Sequence, residues 1–161
     1  MVCCDALGGE VELYYNPERY AFMPVGIVIR RTPGATRWAK WSWRVSGIFV
    51  GAGEAKSQVL REDGNVIEYH AATVPLEVHG ADTESYMVAI SAQVPSIYVV
   101  MRDNPDNNPP YDVILATASA YEAQDYADSG EEIVEKVQMP EGLVAWVRDF
   151  VKGHHVEETF I

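Results

Sequence analysis

Residues 57–71 read SQVLREDGNVIEYHA, and this stretch decides the fold class. Two strand-like runs flank Glu62–Gly64, and an Asp-Gly pair between such runs is a strong signal for a β-hairpin. Further strand-like runs precede it over residues 24–29 and 44–50, separated by glycine- and proline-containing turns. Sequential strands joined by short turns favour an antiparallel meander over a repeated βαβ unit.

Residues 73–79 also have the composition of a strand, but Pro75 interrupts them. Proline lacks the backbone N–H that a sheet ladder needs. We therefore expect either an edge strand at this position or a bent continuation of the strand that precedes it.

The second half of the chain alternates helix and strand patterns. Ser119 and Glu122 have the spacing of a capping box, in which each side chain binds a free backbone N–H at the helix start, and Gly130 is typical of a helix end. The elements predicted here are a helix over residues 82–92, a strand over 96–102, a polar loop over 103–110, a strand over 111–117, a helix over 120–129 and a strand over 132–138.

The last helix begins at Pro140, because proline suits the first helical position. Leu143, Val147 and Phe150 recur at helical spacing and predict its buried face. Gly153 is expected to end it. Together these patterns predict a single α+β domain with a mostly antiparallel sheet of about six to eight strands and two or three helices, the last of them C-terminal.

Length and composition describe one folded domain. The chain has 161 residues, of which 48% are hydrophobic, and a formal charge of −12. The first strong strand signal follows Met23, so we expect a globular domain over residues 23–161. Residues 1–22 are expected to be an N-terminal extension, either partly disordered or a product of start-codon choice. With no secretion signal and no apolar stretch of membrane-spanning length, the sequence predicts a cytoplasmic protein.

Basic residues and tryptophans concentrate in residues 30–44, a segment without any acidic residue. Residues 1–61 carry a net charge of +3 and residues 62–161 a net charge of −15. The tryptophans can pack into the core while the cations pair with the acidic half, or the segment can bind a protein partner or an anionic cofactor. Binding to single-stranded nucleic acid is disfavoured by the overall negative charge. The predicted partner-binding residues are Arg37, Trp38, Lys40, Trp41 and Arg44.

A second candidate surface lies on the helix predicted over residues 120–129. Glu122, Asp125 and Asp128 recur every three residues, which places them near one helix face. Like charges arranged in this way repel one another unless a cation lies over them. Three alternatives can supply this cation: solvent counterions, the Arg-rich segment of the chain and a basic partner.

Histidines provide the alternative functional hypothesis. His70 and His79 occur in strand-like runs together with Glu68 and Glu77, and imidazole with carboxylate ligands would suit zinc or iron. On this alternative the chain is a small-molecule- or metal-binding protein, or an enzyme. The sequence contains no phosphate loop, dinucleotide fingerprint or nucleophile elbow. It therefore favours a non-catalytic protein and predicts no cofactor.

Six stretches together resemble an uncharacterised proteobacterial family, a domain of unknown function, over roughly residues 23–158. They are MPVGIVIRR (23–31), WAKWSW (38–43), EYHA (68–71), IYVV (97–100), ASAYEA (118–123) and MPEGLVAW (139–146). Genes of that family often lie beside genes for molybdenum- or tungsten-dependent formate dehydrogenase. The resemblance implies an accessory or interaction protein in the assembly or regulation of that enzyme, with formate dehydrogenase or a maturation factor as partner. It implies no catalytic or ligand residue.

Overall fold

The structure, a computed structural model, describes residues 20–159 and the side chains of residues 20–154. Residues 1–19 of the predicted extension lie outside the described residues, whereas residues 20–22 begin the first strand. The elements are β1 (Tyr20–Pro33), β2 (Trp41–Val50), β3 (Gln58–Asp63), β4 (Val66–His79), α1 (Thr83–Ser91), β5 (Ser96–Asp103), β6 (Tyr111–Thr117), α2 (Ala120–Ser129), β7 (Ile133–Gln138) and α3 (Glu141–Thr159).

Seven strands of the described chain form one sheet in the order β2-β1-β4-β6-β5-β7, and β3 also pairs with β4. The predicted α+β domain, with a mostly antiparallel sheet and a C-terminal helix, is confirmed over these residues. The sheet is nevertheless mixed, because β4 and β6 run parallel through Leu76 and Ala116. Helix α1 carries the chain from β4 to β5, and β6 then returns antiparallel to β5 into the position beside β4.

Strand β4 is continuous through Pro75 and lies inside the sheet. Pro24 of β1 is directly opposite Pro75 in the register. Because neither proline has an N–H, this pair is one in which the backbone polar groups point away from the partner strand. The carbonyl of Pro24 accordingly accepts a hydrogen bond from the N–H of Gly51 at 2.8 Å. Residues 73–79 are therefore a continuation of the preceding strand, and the edge-strand alternative is wrong.

The sheet curls until its two outer strands, β2 and β7, approach each other. A carboxylate oxygen of Glu135 on β7 accepts from the backbone N–H of Val45 at 3.1 Å and from Nε of Arg44 at 3.2 Å, both on β2. Irregular registers in the β1–β2, β1–β4 and β5–β6 pairs bend the strands in this direction. The contact covers part of two edges that would otherwise be open to other chains.

Helix α3 supplies part of the core. Leu143 and Val147 are fully buried in the same hydrophobic cluster as the central strands, and Phe150 packs against it, as predicted. The predicted end at Gly153 is wrong, since α3 continues to Thr159. A glycine ends a helix by adopting a left-handed conformation, as Gly130 does after α2 with a φ of 76°, whereas Gly153 has no positive φ.

Helix α2 begins and ends at the predicted residues. The Ser119 hydroxyl accepts from the N–H of Glu122 at 3.3 Å. The Ser119 N–H donates to the hydroxyl of Thr117 at 3.0 Å, so Thr117 takes the role that the capping box assigns to the Glu122 side chain. The Glu122 carboxylate is consequently available to the surface described below.

Candidate functional site

Strands β1 and β2 are joined by a compact loop, and we call residues 34–41 the hairpin tip. The Gly34 N–H donates to the Lys40 carbonyl at 3.0 Å, and the Ala39 N–H donates to the Thr36 hydroxyl at 3.2 Å. A Cβ on Gly34 would lie 1.7 Å from the Ala39 carbonyl oxygen, so the loop closes in this way only with glycine. These contacts give the tip a defined shape at the end of two paired strands.

The tip presents a tryptophan to solvent. Trp38 is 83% exposed, the largest value for a large hydrophobic residue in the described chain. The guanidinium of Arg37 lies 4.9 Å from the centre of its ring. Trp41 is half-buried, with Arg31 at 3.7 Å on its ring and Lys40 at 5.7 Å. Cation–π contacts of this kind hold the side chains in place with about 0.5–1 kcal/mol each at exposed sites.

The two cations of the tip, Arg37 and Lys40, and Arg31 beside it on β1 take part in no ion pair within the described residues. Their positive charge is therefore available to a partner. This distinguishes them from other cations of the same segment, which are paired within the fold.

Arg44 belongs to this second group. It pairs with Glu135 at 3.2 Å at the junction of β2 and β7 and has a structural role there. Trp43 likewise faces the interior, where it contacts the rings of Tyr69 and Tyr111 at centroid distances of 6.2 and 6.5 Å. The structure thus gathers four of the five predicted residues, Arg37, Trp38, Lys40 and Trp41, at the tip.

A cavity of about 620 Å³ lies between the end of β4, strand β6 and the start of α2, and we call it the acidic cleft. His79, which lines it, is opposite Tyr20 in the β1–β4 register, whereas the tip follows Pro33 at the other end of β1. At about 3.3 Å per residue, the cleft and the tip are about 40 Å apart. The acidic side chains that line the cleft are Glu77, Asp82, Glu122 and Asp125.

Contacts at the cleft wall show how its charges are arranged. Glu77 accepts a hydrogen bond from the Tyr20 hydroxyl at 3.2 Å and lies 3.9 Å from the imidazole of His79. The buried hydroxyl of Tyr86 accepts from the His79 N–H at 3.0 Å. Burial raises the pKa of Tyr86 to about 12, and the carboxylates of Asp82, Glu122 and Glu77 add to this shift because they disfavour a phenolate. The cleft is therefore a region of negative potential.

An apolar groove continues from the cleft between α1 and α2. It has a volume of about 390 Å³, and its floor and rim include Ser85, Ala120 and Gln124. Val88 is 68% exposed and Tyr121 is 79% exposed. Because Tyr121 lines both cavities, the acidic cleft and the apolar groove lie side by side.

The family model described as "Protein of unknown function (DUF3305)" matches residues 24–161, which include the tip, the cleft and the groove. The chain belongs to the DUF3305 family. The predicted membership in a family of unknown function is thus confirmed, while the link to formate dehydrogenase stays a prediction. None of the curated proteins and none of the solved structures matches the chain. In the described part of this DUF3305 chain, no helix has the length and apolar character needed to cross a membrane.

Two of the three predicted acidic residues line the cleft of this DUF3305 chain, namely Glu122 and Asp125. Asp128 lies outside it, and its carboxylate accepts from the Gln124 amide at 3.4 Å. Sequence reasoning did not single out Asp82, which stands at the start of the helix predicted over residues 82–92 and lines the cleft. The Asp82 side chain makes no capping hydrogen bond, which is what frees it for the cleft.

The two candidate metal ligands are not brought together. His70 is buried, with Nε2 2.8 Å from the Thr73 hydroxyl and its ring against that of Phe49. His79 lies nine residues further along the same strand, which corresponds to about 30 Å. These histidines cannot bind one ion, and no group of three or more potential ligands with metal-binding geometry occurs within the described residues.

Proposed function

We propose that this DUF3305 protein is a non-catalytic accessory protein whose hairpin tip binds an acidic surface of a protein partner. The observation that carries the proposal is the exposure of Trp38 beside Arg37 and Lys40, which form no ion pair within the described residues. Tryptophan and arginine are the residue types most enriched among residues that dominate binding energy at protein interfaces. A partner's carboxylates would supply the charges that the fold itself leaves out.

A protein partner explains the tip better than a nucleic acid does. Non-specific binding to single strands uses a series of aromatic residues and an extended basic groove. The tip offers one largely exposed ring, and the chain as a whole carries a charge of −12, which repels phosphates. Binding to a protein surface that carries a few carboxylates requires positive charge only at the tip itself.

We propose formate dehydrogenase or one of its maturation factors as the partner. This proposed identity rests on the sequence resemblance described above, which implies that genes of the family often lie beside those for that enzyme. A binding protein without catalytic groups would act there by holding an assembly intermediate or by modulating the mature enzyme. Because the tip is cationic, the surface of the partner that it binds must be acidic.

The test is co-purification of the tagged protein from its native host at native expression level, with mass spectrometry of the bound proteins. The tip variant combines Arg37→Glu with Trp38→Ala. The matched control is Arg148→Glu, which reverses one exposed charge on α3, far along the chain from the tip. We expect formate dehydrogenase or a maturation factor with the wild type and the control, and a reduction of at least about tenfold with the tip variant.

Thermal unfolding of the same three proteins separates binding from folding. Because the substituted side chains are exposed, the midpoint of the tip variant should stay within about 2 °C of the wild type. Partner recovery that is equal for the tip variant and the control would contradict the proposal. So would recovery of the wild-type protein alone.

A further inference from the structure

We infer that the acidic cleft and apolar groove of one copy receive the hairpin tip of a second copy, so that the protein associates head to tail. This inference deepens the proposed function and rests on it in one respect, since it uses the same tip. It also assigns a binding partner to the acidic cleft and the apolar groove, which have no role in the proposed function. The second copy would occupy the tip in competition with another acidic partner.

Exposed apolar residues mark both surfaces. Among the large hydrophobic side chains of the described residues, the three most exposed are Trp38 at 83%, Tyr121 at 79% and Val88 at 68%. The first is on the tip and the other two are in the groove. Contiguous exposed apolar residues with a polar rim are typical of interaction sites. Packing the Trp38 ring of one copy against the Tyr121 ring of the other would remove apolar surface from water.

The charges of the two surfaces are complementary. The tip carries cations that form no ion pair in the described part of the chain, and the cleft beside Tyr121 carries several carboxylates. A Trp38 ring placed in the groove would bring the flanking cations toward the cleft, because Tyr121 belongs to both cavities. The facing groups would be Arg31, Arg37 and Lys40 of one copy and Glu77, Asp82, Glu122 and Asp125 of the other.

The contact has to be made between molecules. The tip and the cleft are about 40 Å apart at opposite ends of β1, so one copy cannot fill its own cleft. Two different surfaces in contact give a heterologous interface, which extends into open chains unless it closes into a ring. Although each copy has a charge of −12, at physiological salt charges further apart than about 8 Å are largely screened, so the local complementary charges prevail.

The experiment is a complementation by sedimentation velocity. The tip variant is Arg37→Glu with Trp38→Ala, and the cleft variant is Glu122→Lys with Asp125→Lys. A single loop in a groove is a small interface, so we expect a dissociation constant of about 10 µM or weaker. The measurements therefore use protein concentrations up to about several hundred micromolar. The wild type should form dimers and larger species, whereas each variant alone should remain monomeric.

An equimolar mixture of the two variants gives the decisive result. One variant retains an intact cleft and the other an intact tip, so together they should form a 1:1 dimer that grows no further. The control is Asp128→Lys, which makes one of the two acid-to-lysine changes on α2 outside the cleft and should associate like the wild type. Thermal midpoints of all proteins confirm that each is folded.

Several outcomes would overturn the inference: a monomeric wild type at the highest concentration, a mixture that stays monomeric, or wild-type-like association of either variant. The result also separates this inference from the proposed function. A monomeric protein that still retains a partner through its tip contradicts the inference alone. Head-to-tail association without any co-purified partner supports the inference and contradicts the proposed function.

Discussion

At the scale of single residues, Glu68 organises the charges on the outer face of the sheet. Its carboxylate lies 2.8 Å from Arg30 and 4.0 Å from Arg61, and Ser46 also hydrogen-bonds to it. Burial acts to raise the pKa of Glu68, but the hydrogen bonds from Arg30 and Ser46 and the charges of the two arginines outweigh it. The pKa of Glu68 in the folded protein is therefore below its ordinary value of 4.5.

The lowered pKa makes stability depend on pH. A carboxylate of this kind stabilises the fold above the unfolded pKa of 4.5 and loses that contribution as the pH falls through its folded value. We expect Glu68→Gln to lower the thermal midpoint at pH 7 by about 2–4 °C, which corresponds to about 1 kcal/mol in a chain of this size. At pH 3 or below, the difference from the wild type should become smaller.

Thermal unfolding of both proteins at the two pH values checks this prediction. Glu62→Gln serves as a control, because Glu62 is exposed on the neighbouring strand and forms no ion pair within the described residues. A Glu68→Gln penalty that is equally large at pH 7 and pH 3 would show that packing, and not charge, is responsible.

At the scale of secondary-structure elements, two glycines near helix ends have opposite roles. Gly130 follows α2 with a φ of 76°, and its N–H donates to the Ala127 carbonyl at 3.3 Å. Gly153 is inside α3, and a Cβ built on it has no heavy atom of the described chain within 4 Å. The same residue type therefore ends one helix and merely weakens another.

Alanine substitution distinguishes these roles. Gly153→Ala should raise the free energy of unfolding by about 0.5–1 kcal/mol, because alanine is the better helix former and the site has room. Gly130→Ala should lower it by about 1 kcal/mol or more, because alanine is strained at a positive φ. Chemical denaturation of both variants measures the two effects. Destabilisation by Gly153→Ala would mean that α3 ends near that residue.

At the scale of the whole molecule, one side chain joins the two outer strands of the sheet, which are about 90 positions apart in the sequence. Glu135 joins β7 to β2 by accepting hydrogen bonds from Arg44 and from the backbone of Val45. Without this acceptor the Val45 N–H, which is partly buried, would lose its partner. An unsatisfied buried donor costs about 1–3 kcal/mol.

We therefore expect Glu135→Ala to lower the free energy of unfolding by about 1–3 kcal/mol and to speed hydrogen exchange at the Val45 amide. Glu135→Gln keeps an oxygen acceptor and should lose less. Urea denaturation with amide exchange measures both effects. Lys136→Ala, an exposed neighbour on β7, is the control. Unchanged exchange at Val45 in the Glu135→Ala protein would show that other contacts close the sheet.

Short sequence signals predicted much of the local structure correctly. The Asp-Gly signal at residues 63–64 located the β3–β4 turn, and Ser119 and Gly130 located both ends of α2. The spacing of Leu143 and Val147 identified the buried face of α3. These signals can be recognised in the sequence because turns, caps and helix faces depend on dihedral preferences and contacts within a few residues along the chain.

No short sequence signal predicted the parallel β4–β6 pair, the contacts of Glu135 across the sheet or the composition of the candidate surfaces. Arg37 and Arg44 are indistinguishable in the sequence, yet one remains unpaired by any described acid at the tip while the other contacts Glu135. Glu77 and Asp82 meet Glu122 and Asp125 because β4, β6 and α2 converge. Such contacts join segments that are distant in sequence. Which segments meet depends on the packing of the whole sheet, and no short stretch of sequence carries a signal for it.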